Sequence, residues 1–266
     1  MPVLSIITIN YNNLTGLQRT MESVLAQQFQ DYEFIIIDGN SVDGSKDYIA
    51  QHAGKLAYWK SEKDNGVYSA MNKGILQAKG EYLLFLNSGD YFCDNMVLSK
   101  VFSNPLKEDI VYGNIIWDTN GNQAEGIFPA TLSFEYFTNQ SLPHQGTFIR
   151  SQLFKTVGLY DEEYPIIADW AFFLQAIYKF NYSYKHLDLP VSVCSRDGMS
   201  CDPANWDAIV ADRKKFIQKN FTAFYLDHKQ HLAIKSELQK NRHELETLKS
   251  SMPFRIYFKL KRILSN

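Results

Sequence analysis

Three times within residues 1–90 an apolar run stops at a carboxylate. Asp38 closes Phe34-Ile35-Ile36-Ile37, Asp64 follows Tyr58-Trp59, and Asp90 follows Tyr82-Leu83-Leu84-Phe85-Leu86. Short apolar runs of this kind read as strands of a sheet buried on both faces. In an open α/β sheet the residues just past the carboxyl ends of the strands face the crevice where ligands bind. Asp also favours turns and helix N-caps, so any one of these acids reads equally as a turn residue. Taken together they put acidic groups along one sheet edge. Such an edge suits a polar ligand with ribose hydroxyls and amide-like base edges, or phosphates bridged by a divalent metal.

The pattern between the acids is that of alternating strands and helices. Val3–Ile9 is predicted as a buried strand, and Leu14, Leu17, Met21, Val24 and Leu25 follow at helical spacing. Glu33–Ile37 is the second strand, and Asp43 is placed to cap the helix after it. Leu56–Lys60, the helix Val67–Ala78 closed by Gly80, and the strand Glu81–Leu86 continue the series. Asp94–Phe102 reads as helical and Asp109–Trp117 as extended. This order implies an α/β fold with a doubly wound, mostly parallel sheet. The second half is more mixed: a hairpin turn at Asn120-Gly121-Asn122, a short helix Leu132–Thr138, a strand Gly146–Arg150 and an apolar helix Ala168–Lys179. Tyr182–His186 and Pro190–Cys194 read as extended, 195–203 as a loop, and Asn205–Ser251 as largely helical.

At 266 residues the chain is one large domain or a domain with an appendage. Cys93, Cys194 and Cys201 are odd in number and lack metal-ligand spacing, as expected of reduced thiols in a cytoplasmic compartment. The N-terminus has no basic, signal-like segment, and no run approaches the roughly 18–20 apolar residues that span a bilayer. The expectation is a chain that is neither secreted nor integral to a membrane. Its charge is unevenly spread. Residues 213–266 carry 13 Lys and Arg against 4 Asp and Glu, whereas residues 1–212 carry 14 against 25. An acidic body with a basic tail is not the footprint of a nucleic-acid-binding protein.

The common nucleotide signatures are missing, with neither G-x-x-x-x-G-K-[ST] nor G-x-G-x-x-G after the first strand. A metal is then the expected holder of phosphates, and Asn87-Ser88-Gly89-Asp90 is the candidate, a strand end whose glycine turn would expose the Asp90 carboxylate to Mg²⁺ or Mn²⁺. Tyr11 is placed to stack on a base and Asp38 to accept from a pyrimidine N3–H, the alternative being that Tyr11 only packs and Asn12 caps the next helix. Asp169 opens an apolar helix, where the macrodipole favours its ionised form; that suits either a helix-start carboxylate or a general base. Arg196, in the 195–203 loop, is the candidate cation for a departing diphosphate.

In order, Thr8-Ile9-Asn10-Tyr11-Asn12, Ile37-Asp38-Gly39-Asn40-Ser41, the run Asp64 to Gly74, Gly80-Glu81-Tyr82, Leu86 to Asp90, Gly158-Leu159-Tyr160-Asp161 and the helix start at Asp169 resemble the family 2 inverting glycosyltransferases, which have the GT-A fold. The resemblance covers roughly residues 1–200. It implies transfer of a hexose or N-acetylhexosamine from a nucleotide-sugar, a UDP-sugar being favoured, to a glycan or lipid-linked acceptor, with inversion and with Mg²⁺ or Mn²⁺. It further implies that Thr8, Tyr11 and Asp38 hold the nucleoside, that Asp64, Asn72 and Ser88 lie on the donor side, and that Asp90 binds the metal. Asp169 then matches the base, with His144 and Trp170 on the acceptor side. Three departures stand out: Gly39 replaces a frequent second Asp, Met71 a frequent Arg, and Asn87 and Gly89 replace carboxylates beside Asp90. Members with this Asn-Ser-Gly-Asp form act in surface-polysaccharide or lipopolysaccharide assembly. A non-catalytic nucleotide-sugar scaffold is the competing reading of the thinned motif.

The expected division is a glycosyltransferase domain over 1–210, split at 117 into donor and acceptor halves, and a basic helical extension over 211–266. In the extension Ile234, Leu238, Asn241, Leu245, Leu248 and Met252 step at heptad spacing, which allows a homodimer. Phe254–Leu264 mixes bulky apolar residues with four cations and no acid, as an interfacial helix on a membrane surface does. Packing of the same residues onto the domain is the alternative.

Overall fold

The computed structural model describes residues 1–119, 121–196 and 198–250. In chain order the strands and helices are β1 (Leu4–Asn10), α1 (Leu14–Leu25), β2 (Tyr32–Asp38), α2 (Ser45–Gln51), β3 (Tyr58–Ser61), α3 (Val67–Gln77), β4 (Tyr82–Phe85), β5 (Tyr91–Phe92), α4 (Val97–Val101), β6 (Ile110–Thr119), β7 (Asn122–Gly126), α5 (Phe134–Asn139), β8 (Thr147–Arg150), α6 (Leu153–Thr156), α7 (Ala168–Tyr178), β9 (Tyr184–Ser195), α8 (Trp206–Asn220) and α9 (Thr222–Ser250). The sheet runs β3-β2-β1-β4-β8-β6-β9-β5, with β7 paired to β6. Its β3-β2-β1-β4 half is wholly parallel, and β8 then enters antiparallel between β4 and β6. This is a mixed α/β architecture with helices on both sheet faces, as the resemblance to GT-A enzymes implies.

The period of two along the strands explains the layering. Leu4 and Ile6 of β1, Phe34 and Ile36 of β2, and Tyr82 and Leu84 of β4 share one core with Leu17, Met21 and Val24 of α1 and Val97, Leu98 and Val101 of α4. The intervening residues serve the opposite face, where α3 comes so close that a Cβ on Gly74 would lie 2.5 Å from the Ile7 side chain. Farther along, the Phe85 ring meets Tyr160 and Phe154, and Phe154 stacks on Phe172 of α7 at 4.6 Å. Eight of the eleven α7 residues are buried, so this helix is apolar nearly all round.

Several local expectations are corrected. Asp43 does not cap α2 in the ordinary way. Gly44 takes the cap position at φ 95°, while Asp43 accepts from the Ser45 N–H and, across the loop, from the Leu14 N–H. Gly80 does not close α3, which ends at Gln77. A Cβ at position 80 would lie 2.4 Å from the Ser5 backbone nitrogen, so the residue is small to let the chain pass β1. The stretch predicted as a helix from Asp94 is helical only over Val97–Val101. The two extended segments around Pro190 are one strand, β9, whose register against β6 shifts between Gly113 and Ile115. The irregularity accommodates the proline, which has no N–H for the ladder.

Met1–Lys214 and Lys215–Asn266 form two compact units, the boundary falling within α8. No helix among the described residues is long and apolar enough to cross a membrane. The expected interfacial segment 254–264 lies outside the described residues, as does heptad position 252.

Candidate active site

Parallel pairing in register brings Asn10, Asp38 and Ser61 side by side at the carboxyl ends of β1, β2 and β3. The chain order reverses between β1 and β4, which is where a doubly wound sheet opens its crevice. The two loops that flank this opening are tied together. Asn13 Nδ2 donates to the Ser88 carbonyl at 3.1 Å, and Ser88 Oγ donates to the Asn13 carbonyl at 3.1 Å.

On the β4 side, Asn87 to Asp90 form a turn closed by the Asp90 N–H on the Asn87 carbonyl at 2.9 Å. Here the structure corrects the expected exposure of the Asp90 carboxylate: the residue is buried, 8% exposed. Burial pushes its pKa up to about 6, against the opposing effects of nearby His144, hydrogen bonds from the side chains of Gln145 and Cys194, and the Ser195 N–H. Burial and the neighbouring acid push the Cys194 thiol well up, so it stays protonated as a donor to Asp90.

Asp169 lies in the first turn of α7, brought to the site by the fold from across the sequence. Its Oδ1 accepts from Tyr68 Oη at 2.7 Å and from the Trp170 N–H at 2.8 Å. Its Oδ2 faces His144 Nδ1 at 3.1 Å. Burial raises the pKa of Asp169, but the contacts from His144, Tyr68 and Trp170 more than offset it and hold the carboxyl below the usual range. Tyr68 moves the other way: burial and the adjacent Asp169 push its phenol well up, so it stays protonated and donates to the carboxylate. The far nitrogen of the imidazole, His144 Nε2, meets Asn87 Nδ2 at 3.2 Å. An ionised carboxylate accepts only, and the amide NH₂ donates only. This arrangement therefore puts the proton on Nδ1 and the lone pair on Nε2. Tyr68, Asp169, His144 and Asn87 form one chain of hydrogen bonds from α7 to the β4 turn.

A second cluster lies at the β1 and β2 ends. Tyr11 is 69% exposed. A Cβ on Gly39 would lie 3.1 Å from the Tyr11 ring and 2.9 Å from Asp64 Oδ2, so the absent side chain lets a tyrosine face and a carboxylate converge. Asp64 is held by the Gly66 N–H on its other oxygen at 3.0 Å.

The glycosyl transferase family 2 model matches residues 5–154. The chain belongs to glycosyl transferase family 2. It is 37% identical over 187 residues to an uncharacterized glycosyltransferase of Mycobacterium tuberculosis, covering 66% of this chain and 69% of that protein. It is 32% identical over 178 residues to a PGL/p-HBAD biosynthesis glycosyltransferase of Mycobacterium bovis, covering 64% and 68%. Among solved structures, S. aureus TarS 1–349 in complex with UDP-GlcNAc superposes with TM-score 0.62 at 18% identity, covering 83% of this chain and 73% of that one. The mannosyltransferase PcManGT of Pyrobaculum calidifontis, solved with GDP-Man and Mn²⁺, superposes with TM-score 0.54 at 14% identity, covering 98% and 84%.

Within this family 2 chain, four of the expected site residues are committed to structure. Asp38 is fully buried and accepts four hydrogen bonds, from Asn10 Nδ2, the Ser41 hydroxyl and N–H, and the Ser61 hydroxyl. Burial raises its pKa, yet these donors prevail and lower it. It holds the strand ends together and has no free position for a nucleobase. Thr8 is buried with its hydroxyl on the Leu86 carbonyl at 2.6 Å, bracing β1 against the chain just past β4. Asn72 uses its amide to clamp Tyr160 in both directions and also donates to Glu162, joining α3 to the 160–162 loop instead of facing a donor. Trp170 is buried in the core and donates to the Phe137 carbonyl at 2.7 Å. Arg196 extends its guanidinium 5.4 Å above the Trp117 ring of β6.

A divalent cation of the Mg²⁺ or Mn²⁺ type needs oxygen ligands and keeps waters and phosphate oxygens of its own. The described residues hold no cluster of three His, Cys, Asp or Glu side chains. The β4 turn nevertheless offers the Asp90 carboxylate and, three residues earlier, Asn87 Oδ1, a buried oxygen with no hydrogen-bond partner. One carboxylate plus an orphaned amide oxygen fits such an ion. Sequence reasoning missed Tyr68, Cys194 and Arg213. Tyr68 sits inside the Asp64–Gly74 run quoted for the family, but nothing local marks it as a partner of Asp169. Arg213, over the Trp170 ring at 5.2 Å with a buried, unbonded Nε, was read as part of the basic tail.

Proposed function

We propose that this protein is an inverting glycosyltransferase that moves a sugar from a nucleoside-diphosphate sugar to an acceptor hydroxyl, in assembly of a cell-surface glycan or glycolipid. The observation that carries the reading is the Asp169 carboxylate, held ionised by Tyr68, Trp170 and His144, with an acceptor position of Oδ2 left open. The acceptor hydroxyl donates its proton to Oδ2. The freed oxygen pair bonds the anomeric carbon as the bond to the diphosphate oxygen breaks, so a single displacement inverts that carbon. His144, hydrogen-bonded on one side to Asp169 and on the other to Asn87, keeps the carboxylate aimed. Asp90 and Asn87 would hold a divalent cation, which when bound supplies positive charge against the departing diphosphate. Arg196 is the candidate cation from the acceptor half. The relatives named for PGL/p-HBAD biosynthesis support the surface-glycan class, and the basic tail supports work at the cytoplasmic membrane face.

The uridine-diphosphate preference rests on the Tyr11 and Asp64 pair, a stacking face beside an acceptor for a base N–H. Gly39→Asp tests it. A second carboxylate there would crowd and repel Asp64, so the affinity for UDP should fall by about tenfold or more while the melting temperature holds. Calorimetric titration with UDP measures this. Unchanged affinity would move the base site elsewhere.

The activity itself is tested by a panel of nucleotide-sugars with Mn²⁺, read first as thermal stabilisation and then as release of nucleoside diphosphate in the presence of acceptor. The true donor raises the melting temperature because it binds only the native state. EDTA should abolish release, and Mn²⁺ or Mg²⁺ should restore it. Stabilisation by a donor without turnover on any acceptor would favour a nucleotide-sugar-binding scaffold. Full turnover in EDTA would shift leaving-group stabilisation to Arg196.

A further inference from the structure

α9 is a 29-residue helix with no buried residue. A helix in water draws most of its stability from packing an apolar face, and α9 leaves one uncovered. Ile234, Leu238, Leu245 and Leu248 are each 52–58% exposed. They occupy the seam of a heptad repeat, with Leu238 and Leu245 at a, and Ile234, Asn241 and Leu248 at d. The flanks are sorted by charge. The e positions are Lys235, Arg242 and Lys249, and the g positions are Gln230, Glu237 and Glu244.

We propose that α9 pairs with α9 of a second copy of this chain as a parallel, in-register, two-stranded coiled coil. In that arrangement each g residue faces the e residue of the next heptad across the seam. Glu237 then meets the partner's Arg242 and Glu244 meets the partner's Lys249, and symmetry repeats both pairs. An antiparallel pairing sets g against g and e against e, acid on acid and base on base, so the charge pattern selects direction as well as partner. Asn241, the one polar seam residue, points the same way. In the parallel form it lies opposite the partner's Asn241, where two amides satisfy each other. In the antiparallel form a d residue faces an a residue, and the amide would be buried against leucine. The ion pair of Lys240 with Glu244 at 4.0 Å runs along one helix and leaves the seam open. A membrane is the poorer occupant, because an anionic lipid surface repels the acids at both charged g positions. The inference is independent of the catalytic reading.

Sedimentation velocity on the full chain should show a dimer that dissociates on dilution. Glu237→Lys with Glu244→Lys should give monomers, as should Arg242→Glu with Lys249→Glu. Mixing the two variants should restore a dimer, since each then finds opposite charge across the seam. Asn241→Cys should form a reducible crosslink under mild oxidation. The wild type, with free Cys93, Cys194 and Cys201, is the control. Helicity by circular dichroism should fall in the charge-reversed monomers and return on mixing them, because an unpaired α9 loses the face it packs, while transfer to a soluble acceptor should be unchanged in all variants. A monomer at every concentration overturns the proposal, as does a dimer indifferent to both charge reversals. Failure of Asn241→Cys to crosslink within a charge-sensitive dimer overturns the parallel register. Vesicle binding that is lost in Leu238→Ser with Leu245→Ser, in a protein that stays monomeric, assigns the seam to lipid.

Discussion

Asp169→Asn should bind its nucleotide-sugar with near wild-type affinity and lose transfer by roughly 10²–10⁴-fold, the usual worth of a positioned general base. Asn keeps the shape and can still accept from Tyr68 and the Trp170 N–H, so the α7 start should stay in place. It cannot take the acceptor proton. Donor affinity by calorimetry and transfer by nucleoside-diphosphate release separate the two effects. The pH profile gives a second check. Because the wild-type carboxyl is held below its usual range, it remains ionised into mildly acidic solution and does not limit the acid side of the profile there. His144→Ala removes a donor that lowers this pKa while burial, which raises it, persists. Its acid limb should therefore move to higher pH, with activity lost first at the acid end. Normal transfer by Asp169→Asn would place the base elsewhere and remove the main support for the proposed mechanism.

Asp90→Asn should make the protein inactive and, without metal, more stable at neutral pH. The folded carboxyl titrates at about 6 against an ordinary 3.8. A group with a raised folded pKa contributes most favourably below its unfolded value, and that contribution is lost as pH rises through the folded value. At neutral pH the buried charge thus costs about 3 kcal/mol, at roughly 1.36 kcal/mol per unit. The neutral amide avoids this cost. The melting temperature in EDTA should rise by several degrees at neutral pH, and the gain over wild type should vanish toward pH 3.8. Metal-dependent turnover should be lost together with the strain. An Asn variant that melts earlier at neutral pH would show that the carboxylate is a structural acceptor for Gln145, Cys194 and Ser195, and the metal assignment would lose its basis.

These two acids also show how far the sequence could be read. The apolar runs before Asp38 and Asp90 are short, continuous and bounded by turn residues, so the strands, their alternation with helices and the sheet edge were legible. The fate of each side chain at that edge was not. Asp38 looked the same as Asp64 from its neighbours. Asp38 is sealed by donors at positions 10, 41 and 61, whereas Asp64 remains part exposed beside Tyr11. For Thr8 and Asn72 likewise, the bonds to the Leu86 carbonyl and to Tyr160 and Glu162 were not legible along the chain.

What the sequence determined by itself is therefore what local periodicity and short-range sterics encode: the alternating strands and helices of a mostly parallel half, the apolar α7 with an acid in its first turn, and the heptad spacing of α9. What only the tertiary structure decided is which polar groups meet. Tyr68 reaches Asp169 across 101 residues, and Asn87 reaches His144 across 57. Hydrogen bonds and burial depend on distances of about 3 Å between groups remote in the chain, and no pattern along the chain records those distances. The same replacement of a carboxylate by Asn87 that reads as a weakened metal motif in one dimension is, in three, the contact that orients His144 toward the base.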